Sequence, residues 1–341
     1  MAKSLRVAIN GFGRIGRNAF KAGFGNPKLE FVAVNDLTDA ETLAHLLQHD
    51  TVYGRYEKKV QPKGNDLLVD GILVKVLAEK DPTKLPWKDL KIDVVLECTG
   101  RFASLEGAQQ HIMAGARKVI VSAPVKGGEV ATYVLGTNAS SYNNETIINN
   151  ASCTTNCISP VASVLHSQFG IKKALMSTVH AVTAEQNLVD APPPGLKKGD
   201  LRRARGAYQN IIPTTTGAAI ATAETIPELK GLFDGIAIRV PVPVVSLTDF
   251  VFLLKKKTTV DELNAAFVSA SKEKIYKGIL GVTRDPVVSS DFIKSSYSAV
   301  VDLSMTKVVD GDFVKIIAWY DNEWGYSCRL VEMALLIGKH T

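Results

Sequence analysis

Leu5-Arg6-Val7-Ala8-Ile9-Asn10-Gly11-Phe12-Gly13-Arg14-Ile15-Gly16-Arg17 reads as a short β-rich run, a glycine turn and the start of a helical pattern that continues through Ala19, Phe20 and Ala22. A lone G-x-G-x-x-G motif says little, but between a strand and a helix it marks a dinucleotide-binding unit. Gly11 allows the tight turn, Gly13 lets the backbone approach a pyrophosphate, and Gly16 lets helix and strand pack closely, with the helix N-terminus facing the anion. Phe12, Arg14 and Ile15 belong to the same turn and are cofactor-binding candidates with it. A second strand, Leu29 to Val34, ends in Asn35-Asp36, which puts Asp36 20 residues past Gly16. A carboxylate there accepts from the adenosine ribose and repels a 2′-phosphate, and Leu37 adds no compensating charge, so the expected cofactor is NAD rather than NADP. An Asp at a strand end is also ordinary turn or N-cap chemistry.

Further along, Thr42 to Gln48 has helical spacing, and Asp66 to Leu77 predicts a hairpin turning at Asp70-Gly71. The run Ile92 to Glu97 is mostly apolar, as expected of a strand covered on both faces. It ends at Cys98-Thr99-Gly100-Arg101, and after a helix from Leu105 to Ala114 the strand Lys118 to Val121 ends at Ser122. In a doubly wound sheet the ligand crevice lies outside the carboxyl ends of the strands, which makes Thr99 and Ser122 candidate cofactor contacts.

At 341 residues, two domains are the natural expectation. Hydrophobic content of 46% and charged content of 22% are those of a globular protein. No stretch forms an uninterrupted transmembrane run, and Met1-Ala2-Lys3-Ser4 lacks the apolar region of a signal peptide, so a cytoplasmic location is expected. Four cysteines are too few for a disulfide scaffold in a chain of this length. The net charge of +6 favours anionic ligands without choosing between a phosphometabolite and nucleic acid.

The second half of the chain is arranged around Ala151-Ser152-Cys153-Thr154-Thr155-Asn156-Cys157. A strand precedes it, and Ile158, Val161, Ala162, Leu165 and Phe169 follow at helical spacing, so Cys153 stands at a helix N-terminus. Unpaired N–H groups and the dipole there are expected to lower the thiol pKa and make it a nucleophile. Cys157, one turn on, suits the core better. The strand Lys173 to Thr183 carries His180, a candidate base for such a thiol, and Thr183. From Glu185 to Gly206 the pattern is that of a long basic loop interrupted by Pro192, Pro193 and Pro194. Beyond it, Thr214-Thr215-Thr216-Gly217 at a helix start and Arg239 on a strand both suit phosphate binding. Strands within Val244 to Leu254, Ala299 to Met305 and Phe313 to Trp319 join the His180 strand in a largely antiparallel sheet, with helices such as Val260 to Lys272 over one face.

Four segments together resemble phosphorylating glyceraldehyde-3-phosphate dehydrogenases: Asn10 to Arg17, Ala151 to Cys157, Ile211 to Ala218, and Trp319 to Ser327. The resemblance runs from Leu5 to the last helix. It implies an α/β fold with an N-terminal Rossmann NAD-binding domain (residues 1–152, completed by the C-terminal segment 319–341) and an α+β catalytic domain (residues 153–318). It implies that Cys153 is the nucleophile and His180 its base, in an NAD-dependent oxidation of glyceraldehyde 3-phosphate through a thioester that inorganic phosphate cleaves to 1,3-bisphosphoglycerate. Thr183 and Arg239 resemble the site for the substrate's own phosphate, and Ser152, Thr154, Thr216 and Gly217 the site for the attacking phosphate. Arg203 matches a family arginine near these anions, and Asn322 the residue that orients the nicotinamide amide, with Tyr326 close by. Such enzymes are usually homotetramers without a catalytic metal. One departure is the stretch between Asp190 and Asp200, which looks several residues longer than the usual family loop and bears on subunit contacts and cofactor preference. The alternatives are an erythrose-4-phosphate dehydrogenase, sharing the Cys, His and NAD parts, and a basic protein that binds RNA or cell surfaces through its Lys197-Lys198 loop.

Overall fold

The structure, a computed structural model, describes residues 4–125, 127–192 and 200–340. The chain forms two compact units: Met1–Tyr133 with Ser141–Ser152 and Tyr326–Thr341, and Val134–Ser140 with Cys153–Gly325. Lys197 and Lys198, on which the RNA-binding alternative rests, and most of the long 191–199 stretch lie outside the described residues.

The first unit is built on a sheet whose strands run, in spatial order, Ala131–Thr132, Ile147–Asn149, Lys118–Val121, Val94–Glu97, Leu5–Asn10, Leu29–Asn35, Ile72–Leu77, Asp66–Val69 and Val60–Lys63. Pairing is parallel as far as Ile72–Leu77 and antiparallel beyond it. The central strands Val94–Glu97 and Lys118–Val121 are buried at every position, as their continuous apolar runs require of strands with both faces covered. The predicted hairpin turns where expected, with Asp70 at φ 45° and Gly71 at φ 83°, the left-handed pair that suits the twist of a two-residue connection.

At the glycine turn, Gly11 has φ 89°, and a Cβ there would stand 2.7 Å from Thr99 N. A Cβ on Gly16 would stand 2.1 Å from Gly11 O, whereas one on Gly13 meets nothing within 4 Å. Gly11 and Gly16 therefore serve the protein's own packing, and Gly13 keeps space open beside the helix Arg14–Gly23, which it caps.

The second unit carries a sheet ordered Ile212–Thr215, Phe233–Arg239, Ile171–His180, Ser246–Leu254, Phe313–Tyr320, Ala299–Asp302 and Leu280–Thr283, with Lys307–Val309 added alongside Phe313–Tyr320. Most pairs are antiparallel; Ile171–His180 with Phe233–Arg239, and Leu280–Thr283 with Ala299–Asp302, are parallel. Burial alternates strictly along Ser246–Leu254, so one face is committed to the core. There Phe250, Phe252, Ile316 and Ala318 pack with Cys157, Ile158, Val161 and Leu165 of the helix Cys153–Phe169. Cys157 is fully buried in this cluster.

Gly16→Ala should lower unfolding stability by about 1–3 kcal/mol, the cost of forcing an extra carbon into a packed site. Gly13→Ala should stay within about 0.5 kcal/mol of the parent yet bind dinucleotide more weakly. Urea unfolding and dinucleotide titration of the two variants check both expectations.

Candidate active site

Register brings the chemistry of the second unit together. Thr178 and His180 alternate onto the same buried face of their strand, and the parallel pairing sets His180 opposite Arg239. The Tyr320 hydroxyl lies 2.8 Å from Thr178 Oγ1 and 2.9 Å from Thr154 Oγ1. That bridge ties the first turn of the helix Cys153–Phe169 to the sheet and leaves Cys153 Sγ 3.6 Å from His180 Nε2. Thr154 Oγ1 is thereby engaged with Tyr320, 3.9 Å from Cys153 Sγ.

His180 Nδ1 lies 2.7 Å from the Ala181 carbonyl, the shortest contact of its ring. An acceptor at that distance assigns the proton to Nδ1 and leaves the Nε2 lone pair facing the sulfur. Burial and the neighbouring Arg239 charge depress the imidazole to about 3, so it is neutral at physiological pH and able to accept a proton. The thiol corrects the sequence reading. A helix start is expected to lower its pKa, but here burial drives it above the ordinary value, against the opposing pull of Thr154 and of the Arg239 charge. The pair rests as thiol and neutral imidazole. Transfer of the proton creates two opposite charges that stabilise each other at contact distance.

Arg239 is buried and donates from NH1 to Thr183 Oγ1 at 2.7 Å and to Ala181 O at 3.1 Å, with the same nitrogen 3.2 Å from His180 Nδ1. Its Nε–H finds no acceptor among the described residues. Arg203 donates from Nε to Thr214 Oγ1 at 3.0 Å and from NH2 to Thr215 O at 3.2 Å. Glu185 reaches both guanidinium groups. Gly217 caps the helix Ala218–Thr225 with open space at its Cα, and Thr216 Oγ1 accepts from Ala218 N. Thr155 Oγ1 donates to Ala218 O at 3.5 Å, so this helix start lies beside the one that bears Cys153. The fold thus gathers Cys153, Thr154, His180, Thr183, Arg203 and Arg239, with Thr216 and Gly217 at the adjoining helix start.

Asn322 is buried, and its Oδ1 accepts from Ser246 Oγ, which itself accepts from Ala181 N. Fixing the amide oxygen in this way presents the amide nitrogen as donor. Ser246 follows Val245, whose φ of 70° is an outlier for a β-branched residue. Sequence reasoning did not single out Ser246, Glu185 or, within the segment Trp319 to Ser327, Tyr320, because their contacts come from strand register and loop return.

In the first unit a cleft of about 590 Å³ opens at the carboxyl ends of the parallel strands, lined by Asn10, Gly11, Gly13, Asp36, Thr99 and Phe102 among others. Asp36 accepts from Phe12 N at 2.8 Å and Thr38 N at 3.1 Å. Lys80 and Arg101 also line the cleft and were not singled out from the sequence. The Phe12 ring is buried against Phe20, so only its backbone is near the turn's ligand side. The Arg14 side chain pairs with Asp50 at 2.6 Å, and Ile15 O accepts from Ser327 Oγ at 3.4 Å. The Thr99 hydroxyl bonds Glu97, and Ser122 N donates to Glu97 O. Tyr326 donates its hydroxyl to Ala151 O at 3.0 Å, holding a residue with φ 52° that leads through Ser152 to Cys153. The open space at Gly13, the backbone donors of a helix start and the Asp36 carboxylate fit an adenine dinucleotide.

Iodoacetamide should alkylate Cys153 and spare Cys157, which is fully buried and whose thiol burial drives strongly upward. Because the Arg239 charge lowers the Cys153 pKa, Arg239→Gln should move the alkylation profile to higher pH. A profile that stays in place, or shifts to lower pH, contradicts this electrostatic coupling.

Residues 5–105 match the family described as glyceraldehyde 3-phosphate dehydrogenase, NAD binding domain, and residues 152–322 match the C-terminal domain of the same dehydrogenase. The chain is 51% identical over 338 residues to glyceraldehyde-3-phosphate dehydrogenase of Geobacillus stearothermophilus, covering 98% of this chain and 99% of that protein. It is 51% identical over 339 residues to the enzyme of that name from Streptomyces coelicolor, with coverage of 98% and 99%. A chloroplastic counterpart from Arabidopsis thaliana is 49% identical over 340 residues, covering 98% of this chain and 84% of that protein. With the glycine turn and its cleft in one unit and a cysteine, a histidine and two arginines gathered in the other, the chain belongs to the glyceraldehyde 3-phosphate dehydrogenase family.

Proposed function

We propose that this chain oxidises glyceraldehyde 3-phosphate, with NAD and inorganic phosphate, to 1,3-bisphosphoglycerate in glycolysis. The observation that carries the reading is Cys153 Sγ at 3.6 Å from His180 Nε2, with the Arg239 and Thr183 anion cradle beside the same histidine on the shared Ala181 carbonyl. His180 Nε2 takes the thiol proton as Sγ attacks the aldehyde carbon, and the helix-start N–H groups and the imidazolium face the oxygen that gains charge. Bound NAD supplies the acceptor for the hydride that leaves this carbon. Cys153 then holds the acyl group as a thioester, and His180 still holds the proton it took from the thiol. Phosphate oxygen adds to the acyl carbon, the C–S bond breaks, and Sγ leaves as the acyl phosphate forms.

Arg239 and Thr183 bind the substrate's own phosphate, with the unpartnered Nε–H of Arg239 as a further donor. Ser152, Thr154, Thr216, Gly217 and Arg203 serve the attacking phosphate. Asn322 orients the nicotinamide amide, and Asp36 holds the ribose, favouring NAD over NADP. The unit of Met1–Tyr133, Ser141–Ser152 and Tyr326–Thr341 serves as the NAD-binding part and that of Val134–Ser140 with Cys153–Gly325 as the catalytic part. The segment 319–325, expected from the sequence to complete the NAD-binding part, therefore goes with the catalytic one, because Phe313–Tyr320 is a strand of its sheet.

No helix among the described residues is long and apolar enough to cross a membrane. A cytoplasmic location and a homotetramer complete the proposal. The tetramer reading is supported by an exposed apolar face of the second unit's sheet, flanked by Ile220 and Ala223 of the helix Ala218–Thr225. Leu175 is 65% exposed there and Phe313 48%, and with Leu232, Val251 and Leu253 they line an apolar cleft of about 930 Å³. An exposed apolar surface of this kind suits a self-complementary contact with a second copy.

Single-turnover NADH formation tests the chemistry. Cys153→Ser should give no burst, and a full-rate burst would refute the mechanism. His180→Asn should slow the burst on the order of a hundredfold while leaving the thiol titratable. Sedimentation should show the parent as a tetramer and Leu175→Glu as smaller species, since a charge on an apolar contact face must be desolvated to assemble.

A further inference from the structure

Glu185 is an acid that reaches both arginines of the proposed phosphate cradle, and its geometry gives it a task that the reaction sequence does not use. A single oxygen, Oε1, lies 3.4 Å from Arg203 NH1 and 3.4 Å from Arg239 NH2. Neighbouring Thr183, the hydroxyl partner of Arg239, and the two arginine charges hold the acid below its ordinary pKa against the effect of burial. Glu185 therefore occupies both guanidinium groups to which the proposed function gives phosphate oxygens.

The members of the cluster are not held equally. Arg239 is anchored by its 2.7 Å and 3.1 Å bonds to Thr183 and Ala181, and Arg203 by its bonds to Thr214 and Thr215. Both Glu185 contacts are longer than the 2.7–2.9 Å of a well-formed charge-assisted bond. Its side chain is 39% exposed, against 10% for Arg239 and 21% for Arg203. The arginines are fixed, and the carboxylate is the member that can turn to water at small cost.

We infer that Glu185 is a tethered anion that competes with phosphate for Arg203 and Arg239, and so sets how tightly the enzyme holds phosphorylated substrate and product. The inference rests on the proposed function of this cradle. Two guanidinium groups facing one site repel each other and attract any anion, and a built-in carboxylate offsets both tendencies. A phosphate dianion with three acceptor oxygens displaces one singly bonded carboxylate oxygen, whereas a weak monoanion does not. Every phosphorylated ligand thus binds less tightly than the bare arginines would hold it. The product, which carries two phosphates, gains most in release.

The test compares the parent with Glu185→Gln, which keeps the shape without the charge, and Glu185→Asp, which keeps the charge on a shorter stem. The Kd of inorganic phosphate, read by calorimetry and by protection of Cys153 from iodoacetamide, should fall about tenfold in Glu185→Gln, since a partly exposed like charge beside the ligand is removed. The KM for glyceraldehyde 3-phosphate should fall with it while kcat does not rise, and Glu185→Asp should return both toward the parent values. Damage to the fold weakens binding, so tighter binding cannot arise from a merely structural role. Unchanged or weaker phosphate binding by Glu185→Gln overturns the inference. Absence of NAD- and phosphate-dependent turnover in the parent would instead overturn the proposed function, and the phosphate titration, which needs no turnover, still decides the role of Glu185.

Discussion

The second unit depends on the burial of one charge. Arg239 sits at 8% exposure at the end of a strand, and a guanidinium there is tolerated only if its N–H groups are met and its charge is balanced. The Ala181 carbonyl, Thr183 and Glu185 meet those demands at NH1 and NH2, and each of them follows within a few residues of His180. The same charge depresses the imidazole and pulls the thiol pKa downward. Base, nucleophile and anion cradle are therefore coupled electrically through one side chain. An anion arriving at Arg239 offsets a charge that otherwise discourages protonation of His180, which links binding of a phosphorylated substrate to proton transfer.

The first unit meets a different constraint, that of polar groups at the ends of parallel strands covered on both faces. Glu97 is buried and takes Asn10 Nδ2 at 2.6 Å, His111 Nε2 at 3.0 Å and the backbone N–H of Thr99 at 2.8 Å. Trp87 Nε1 donates to His111 Nδ1 at 3.1 Å, and Asn35 Nδ2 to Asn10 Oδ1 at 2.6 Å. A carboxylate so fully met tolerates burial and fixes the strand ends from which the glycine turn, Asp36 and Thr99 project. The rigidity of the dinucleotide cleft originates in this network beneath it.

Much of this architecture is legible in the chain. The glycine spacing has a separate reason at each position, packing at Gly11 and Gly16 and open space at Gly13, and the Asp70-Gly71 pair specifies its turn by left-handed backbone geometry. The apolar run Val94–Glu97 announces a covered strand, and the period of Ile158, Val161 and Leu165 announces a helix behind Cys153. Cys157 reads correctly as core because it shares that period. Less legible was the thiol. From the sequence, a helix N-terminus argues for a depressed pKa, and only the folded surroundings reveal that burial outweighs it. Ser246 and Glu97 carry no local signature, and nothing in the Trp319 to Ser327 segment foretells what Tyr320 touches, since each acts by meeting residues far away in the chain.

Local order, which depends on side-chain size, backbone freedom and hydrophobic period within a few residues, was settled by the sequence itself: strand, glycine turn and helix at the start, and a cysteine at a helix opening in the middle. Tertiary structure decided which of the chemically capable residues meet. Parallel register set His180 opposite Arg239, and a tyrosine hydroxyl brought Thr154 of the cysteine helix to Thr178 of the histidine strand. The return of the segment after His180 placed Glu185 between two arginines. Charge and burial at such meeting points are sums over residues distant in the chain, so a pKa or an ion pair exists only once the fold has assembled them.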